Sequence, residues 1–346
     1  MIKYAVLQNP GHNRVYFNSS GKLAKNELST LFFDVITEIK EEVFGGIEYI
    51  TFSAKNGFSE ENLVLLSRLS FVYAIFEVRD GFFLPVLKNR SYFFGDDLNT
   101  ILKYSGKTNE IFTRMLINLA AAAGGYAADF SGNLNLLDPV CGKGTTVFEG
   151  LVCGYNSFGI DINEKLINEG AQFLKKYLET GKYKHSLKKE GISGIGNDKT
   201  PFKSQRYFFE IAKNKTDQKD SRGLLCEFIG GDTQNADKYY KKNKFHMIVG
   251  DLAYGIQHEN NTSGSKMRNP VNLIKNSIPV WMEVLKPGGA VVLAWNTHLV
   301  KRGEMEHIFA ENDLIISEPG EFGDFSHRVD QAINRDVIIG VKGTLF

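Results

Sequence analysis

Leu137-Asp138-Pro139-Val140-Cys141-Gly142-Lys143-Gly144-Thr145-Thr146 is the stretch on which the reading of this chain turns. It follows a short apolar run, NLLD (135–138), and leads into a helical stretch from Thr145 to Cys153. Glycines at such a turn let the backbone approach a ligand closely, and a helix N-terminus offers unpaired N–H groups. A dinucleotide fingerprint needs a third glycine where Val147 stands, and the lysine–hydroxyl ending of a phosphate-binding loop is absent. What fits is an acid at a strand end, then Gly-x-Gly, then a second acid, Asp161, at the end of the next strand SFGID (157–161). Carboxylates there suit ribose hydroxyls and an amino group, and they repel a pyrophosphate. The pattern points to a nucleoside carrying a cationic amino-acid tail.

Two further acids follow the same rule. Asp232 ends CEFIGGD (226–232), and Asp251 ends FHMIVGD (245–251). Any one of them alone reads as well as a helix cap or a turn residue. Four in series place carboxylates along one edge of a sheet, where open α/β folds bind ligands. Helices over 163–178, 271–285 and 301–311 separate strands that include AVVLAW (290–295) and runs near 313–317 and 335–342. Alternating helices and buried apolar strands predict a mostly parallel α/β sheet over residues 126–346.

Upstream, residues 1–90 read as a smaller α+β domain. YAVLQ (4–8), IEYITFS (47–53) and FVYAIFEVRD (71–80) are strand candidates, and 22–43 has helical spacing through Leu23, Leu28, Leu31, Phe32, Val35, Ile36 and Ile39. Residues 91–125 form a linker ending in a helix from Asn109 to Ala123, stopped by Gly124-Gly125. One block breaks the strand–helix rhythm. Residues 182–222 hold eleven Lys and Arg against five Asp and Glu, in a chain of 346 residues whose net charge is +1. That insert reads either as an electrostatic footprint for RNA or as a solvated lysine-rich loop. Its aromatics Tyr183, Phe202, Tyr207, Phe208 and Phe209 favour an ordered binding element. With no global field of one sign, any nucleic-acid surface must be a local patch. Cys141, Cys153 and Cys226 fit neither a disulfide framework nor a zinc site, and no run approaches the ~18 apolar residues of a membrane span. A cytoplasmic chain with no membrane or metal partner is the expectation.

DPVCGKGTT (138–146), FGIDIN (158–163), GGDTQN (230–235), DLAYGI (251–256) and LKPGG (285–289) together resemble the class I S-adenosylmethionine-dependent methyltransferases. More closely, the chain looks like the group that methylates exocyclic amines of nucleic-acid bases, including the THUMP-associated tRNA guanosine-N2 methyltransferases. Residues 106–120 look like that group's N-terminal cofactor motif. The resemblance covers residues 91–342 and implies a class I methyltransferase (Rossmann-like) seven-stranded sheet. It also implies S-adenosyl-L-methionine as cofactor, RNA and above all tRNA as partner, and room for a small accessory subunit. The group usually places a ferredoxin-like domain and a THUMP domain ahead of its catalytic domain.

By that resemblance Asp138, Gly142 and Gly144 hold the methionine part, Asp161 the ribose and Asp232 the adenine amino group. Val140, Thr145, Ile162 and Thr233 lie beside them, and Thr108, Asn109 and Phe112 close the pocket. The group's catalytic motif is acid-Pro-Pro-aromatic; here it is Asp251-Leu252-Ala253-Tyr254. Asp251 and the Leu252 carbonyl would hold the target amine, and Tyr254 would stack on the extruded base. Both prolines are absent, so the loop loses their φ restriction. The motif works as it stands, takes another acceptor, or is degenerate. His327 and Arg328 are candidates to reach a base or phosphate, against a solvated loop before the last strand. Lys143 reads as an exposed turn residue and Trp295 as core or pocket wall. Guanine N2 of tRNA is the acceptor the resemblance favours. The alternatives are a DNA amine, a small molecule, or a non-catalytic module binding S-adenosylmethionine or RNA.

Overall fold

The computed structural model describes residues 1–9, 14–86, 93–102, 107–129, 131–252, 270–317, 325–329 and 331–343, without side chains for 14–19 and 270. The N-terminal part runs β1 (Ile2–Gln8), α1 (Arg14–Phe32), β2 (Ile36–Phe44), β3 (Ile47–Ala54), α2 (Glu60–Arg68), β4 (Val72–Arg79) and β5 (Phe82–Pro85). These strands form an antiparallel sheet in the order β2-β3-β1-β4-β5. Through β4 this is the split βαβ, ferredoxin-like arrangement. Tyr4 and Val6 of β1, Ile50 and Phe52 of β3, and Leu28 and Phe32 of α1 share its core.

The helix expected over 22–43 is corrected here. Helix α1 stops at Phe32, and Ile36–Phe44 is a strand paired with β3. The cause is a bulge: Glu38 has φ 58°, and the register shifts between Thr37 and Lys40. The extra residue puts Ile36 and Ile39, three apart, on the same buried face. That spacing imitates a helix in the sequence.

After α3 (Asp97–Thr100) and α4 (Glu110–Ala123), the chain enters β6 (Asn135–Asp138), α5 (Thr145–Val152), β7 (Asn156–Asp161) and α6 (Glu164–Thr180). Next come β8 (Lys184–Ile195), β9 (Pro201–Ala212), α7 (Lys215–Lys219), β10 (Leu224–Gly230), α8 (Ala236–Tyr239) and β11 (Phe245–Asp251). Last are α9 (Pro270–Val284), β12 (Leu285–Asn296), α10 (Arg302–Ala310), β13 (Leu314–Ile316), β14 (His327–Arg328) and β15 (Asn334–Lys342). The sheet order is β13-β15-β12-β11-β6-β7-β10-β9-β8, with β14 beside β15. Strands β10, β7, β6, β11 and β12 are parallel; β15 is antiparallel to β12 and β13. The seven strands from β13 to β10 are thus the class I methyltransferase-like α/β sheet. The chain leaves β6 toward β7 and β10, then returns to β11 on β6's other side. That reversal is the switch point at which such sheets open a crevice.

The insert is ordered. Strands β8 and β9 form a hairpin that extends the sheet antiparallel to β10. The expected order is present, and the insert's aromatics take part in packing. Tyr207 and Phe209 are buried with residues of α5 and α6, Phe202 meets Tyr239, and Tyr183 meets Phe94. No described helix is long and apolar enough to cross a membrane.

Helix α4 joins the two parts. Every residue from Phe112 to Ala121 is buried. Asn118 Nδ2 donates to Oε1 of Glu27 on α1 at 2.7 Å, and Ser70 Oγ donates to Glu27 Oε2 at 2.5 Å. Burial raises the Glu27 carboxyl, against these hydrogen bonds, which lower it.

Candidate active site

The turn after β6 is shaped by two glycines. Gly142 has φ 54° and Gly144, which precedes α5, has φ 100°. Both angles disfavour a side chain. A Cβ on Gly144 would lie 2.7 Å from the Phe228 ring, while one on Gly142 would meet nothing within 4 Å. Gly142 therefore leaves open space beside bare backbone. Asp161, at the end of β7, ties the turn down: its Oδ2 accepts from Gly142 N and its Oδ1 from Asn163 N, both at 2.8 Å. Lys143 points away and pairs with Glu169 of α6 at 2.5 Å, so it is a paired turn residue.

Asp138 is buried at the end of β6, where its Oδ1 accepts from Val140 N at 3.0 Å. Burial pushes its carboxyl up to about 7; Thr146 and Val140 hydrogen bonds oppose the shift, and the nearby Asp161 and Asp251 charges add to it. The shift is first a mark of burial, to which the neighbouring carboxylates contribute. Val140 is half-buried, and Thr145 is buried in the first turn of α5 with its carbonyl accepting from Asn99 Nδ2 at 3.2 Å. Ile162 differs: it is 62% exposed directly after Asp161.

Asp232 caps the short turn Thr233–Asn235 by accepting from Gln234 N at 3.0 Å. Thr233 Oγ1 accepts from the buried Trp281 indole at 2.8 Å. The tip of the β8–β9 hairpin holds this segment. Asn197 N donates to Asn235 Oδ1 at 3.0 Å, and Asn197 Nδ2 to Gln234 O and to Asp237 Oδ1, each at 2.8 Å. Sequence reasoning missed this link.

Asp251 ends β11 and is held from two sides. Thr108 Oγ1 donates to its Oδ2 at 2.8 Å, and the Arg335 guanidinium of β15 sits 3.1 Å from the same oxygen. The side chains are 9% exposed for Asp251 and 4% for Arg335. Arg335 also lies over the Phe112 ring, 4.7 Å from its centroid. Asn109 is the N-cap of α4, its Oδ1 accepting from Ile111 N at 2.8 Å and Phe112 N at 3.2 Å. Leu252 N donates to Ala294 O at 2.7 Å, which anchors the start of the loop after β11. Tyr254 lies outside the described residues.

His327 and Arg328 belong to β14, paired with Arg335 and Asn334. His327 is buried, its ring 5.1 Å from Phe112. Burial, with the Arg335 charge adding, pushes its imidazole down to about 4, against the Phe325 carbonyl bond that raises it. The solvated-loop reading therefore fails for His327, while Arg328 is exposed. Trp295 is core, its indole donating to Val300 O at 2.9 Å. Arg335 is the site residue that sequence reasoning passed over. The signal was a lone cation entering the apolar run Val337-Ile338-Ile339, and its partner becomes evident only from the β12–β15 register, where Arg335 faces Asn296.

The insert's cations are distributed along the hairpin. Gln205 pairs with Gly230 at the carboxyl edge of β10, while Ile211 pairs with Leu224 at its amino end. Lys182, Lys184, Lys213, Lys215, Lys219 and Arg222 thus flank the hairpin's base, and Lys199 and Lys203 belong to its tip. Arg206 pairs with Glu190 and Glu227, Lys188 with Glu190, and Arg222 with Asp217 and Asp220.

No family model and no curated protein matches this chain. Solved structures resemble it at low similarity. Magnesium protoporphyrin IX methyltransferase from Synechocystis PCC 6803, with bound SAH, is 12% identical over 71% of this chain and 93% of that one, with a TM-score of 0.37. An rRNA methylase from Streptococcus thermophilus is 12% identical over 62% of this chain and 89% of its own, with a TM-score of 0.33. A TehB-like SAM-dependent methyltransferase from Corynebacterium glutamicum is 11% identical over 61% and 80%, with a TM-score of 0.33. At such identities and TM-scores no activity or ligand passes from those proteins to this chain.

Proposed function

We propose that this chain transfers the methyl group of S-adenosylmethionine to an exocyclic amine of a base in RNA, guanine N2 of tRNA being the acceptor favoured. The observation that carries the reading is the row of carboxylates at one sheet edge beside a bare glycine turn, with Asp251 clamped at its end. The residues fit the cofactor. Space beside Gly142 admits a ligand against backbone, and carboxylates suit its hydroxyls, its amino groups and its positive charge. Gly142 and Gly144 would hold the methionine part with Asp138, Asp161 the ribose, and Asp232 the adenine amino group, with Ile162 supplying exposed apolar surface. When bound, the cofactor supplies an electrophilic methyl group.

The chain's own residues then do the positioning. Asp251 accepts an N–H of the target amine, which aims the nitrogen lone pair and eases loss of the proton. The Leu252 carbonyl accepts the second N–H, and the resemblance assigns Tyr254 to stacking on the base. Orientation of this kind accounts for most of the rate in a direct displacement. The ferredoxin-like order of the N-terminal sheet adds support, because the group the sequence resembles carries such a domain. A small-molecule acceptor is the second reading, favoured by the ion pairs that neutralise part of the insert.

The test is transfer of labelled methyl from S-adenosylmethionine into total small RNA, followed by digestion and mass spectrometry. The proposal expects N2-methylguanosine, lost in Asp251→Ala. Cofactor binding without label in RNA would overturn the RNA reading.

A further inference from the structure

We infer that Arg335, assisted by Thr108, is the positioning residue for Asp251, and that this clamp does the work that two prolines do in the motif the sequence resembles. The inference rests on the proposed methyl transfer. Asp251 is followed by Leu252 and Ala253, so no fixed φ holds the loop behind the acid. The acid is instead held by its own side chain. One carboxylate oxygen receives the Thr108 hydroxyl at 2.8 Å and faces the Arg335 guanidinium at 3.1 Å.

The two partners come from rigid places. Thr108 directly precedes Asn109, which caps α4, and Arg335 lies in the strand β15. Strand β15 runs antiparallel beside β12, and β12 lies parallel to β11, which ends in Asp251. Arg335 is itself fixed, over the Phe112 ring at 4.7 Å and paired across β14 with His327. With both side chains under a tenth exposed, the ion pair is shielded from solvent, where a charge-assisted contact is strongest. Among the described residues, Asp138 of the neighbouring strand β6, His327 of β14 and Arg335 of β15 lie within electrostatic reach of this carboxylate.

The experiment compares wild type, Arg335→Lys, Arg335→Ala and Thr108→Val. It measures methyl transfer to small RNA, S-adenosylhomocysteine binding by calorimetry, and thermal melting. Arg335→Ala should lower kcat by about 100-fold or more while the affinity for S-adenosylhomocysteine stays within about threefold. Added guanidinium ion should restore part of the rate. Arg335→Lys should retain an intermediate rate, and Thr108→Val should lose about tenfold. Transfer in Arg335→Ala equal to wild type overturns the clamp alone. A loss with no guanidinium rescue also overturns it, because that is the mark of a merely structural arginine. If the wild-type chain transfers no methyl to any acceptor, the reading on which the clamp rests falls with it.

Discussion

Asp251 shares one oxygen between a hydroxyl and a guanidinium, whereas Asp138 lies buried one strand away with its carboxyl held up at about 7. These two acids have different work, and substitution should separate them. Asp251→Asn should cut kcat by about 100-fold or more with S-adenosylhomocysteine affinity little changed, read from steady-state rates beside calorimetry. Asp138 should show itself in stability. Its carboxyl rises from 3.8 to about 7 on folding, so between those values the folded chain keeps a proton that the unfolded chain has released. Stability from this group therefore falls as pH rises through that window. His327 acts in the opposite sense: its imidazole drops from 6.5 to about 4, so its contribution falls as pH falls through that range. Above the ordinary histidine value of 6.5 the Asp138 effect stands without it. Denaturant midpoints between about pH 6.5 and 8 should decline with pH in the wild type and decline less in Asp138→Asn.

Residues also show why the site was partly legible before the fold was known. Asp138, Asp161, Asp232 and Asp251 each close an apolar run, so strand ends and acids could be read together from local sequence. Arg335 could not be found that way. It meets Asp251 only because β15 returns antiparallel beside β12, a pairing between distant segments that no local period records.

At the scale of elements, the glycine turn and the hairpin make the next predictions. Gly144→Ala would force a side chain at φ 100° and drive its Cβ to 2.7 Å from Phe228. A loss of about 1–3 kcal/mol in unfolding free energy should follow, measured by denaturant titration. Asn197 of the hairpin tip makes three hydrogen bonds to residues 234–237. Asn197→Ala should loosen the segment after Asp232, weakening S-adenosylhomocysteine binding severalfold while melting changes little. Unchanged affinity would remove the hairpin from the account of the site. The hairpin was hard to read because its strands face both ways: Tyr207, Phe209 and Ile211 enter the core, while lysines line the edge strand. Strand β2 was misread for another reason, the bulge at Glu38 that gives a strand an apolar spacing of three.

For the whole molecule, helix α4 is the shared part. Its N-terminal residues reach the clamp through Phe112, and its middle holds Glu27 of α1 through Asn118. Removing the carboxyl leaves buried Asn118 and Ser70 donors without their acceptor. Glu27→Ala should therefore cost about 1–3 kcal/mol. One cooperative unfolding transition should remain if α4 couples the two sheets, and two separate transitions in the wild type would contradict that coupling. Strand–helix alternation made the seven strands from β13 to β10 legible. The joint between the sheets was not, since a glutamate such as Glu27 on an amphipathic helix reads as part of its solvated face, whereas here it is buried.

The most direct measurement is a crystal structure of the chain grown with S-adenosylhomocysteine. The account predicts the ligand along the carboxyl edge, its methionine part at Gly142–Gly144, its ribose at Asp161, its adenine near Asp232, and its sulfur turned toward Asp251. A ligand seated elsewhere, or an edge left empty at saturating ligand while calorimetry shows no binding, would contradict it.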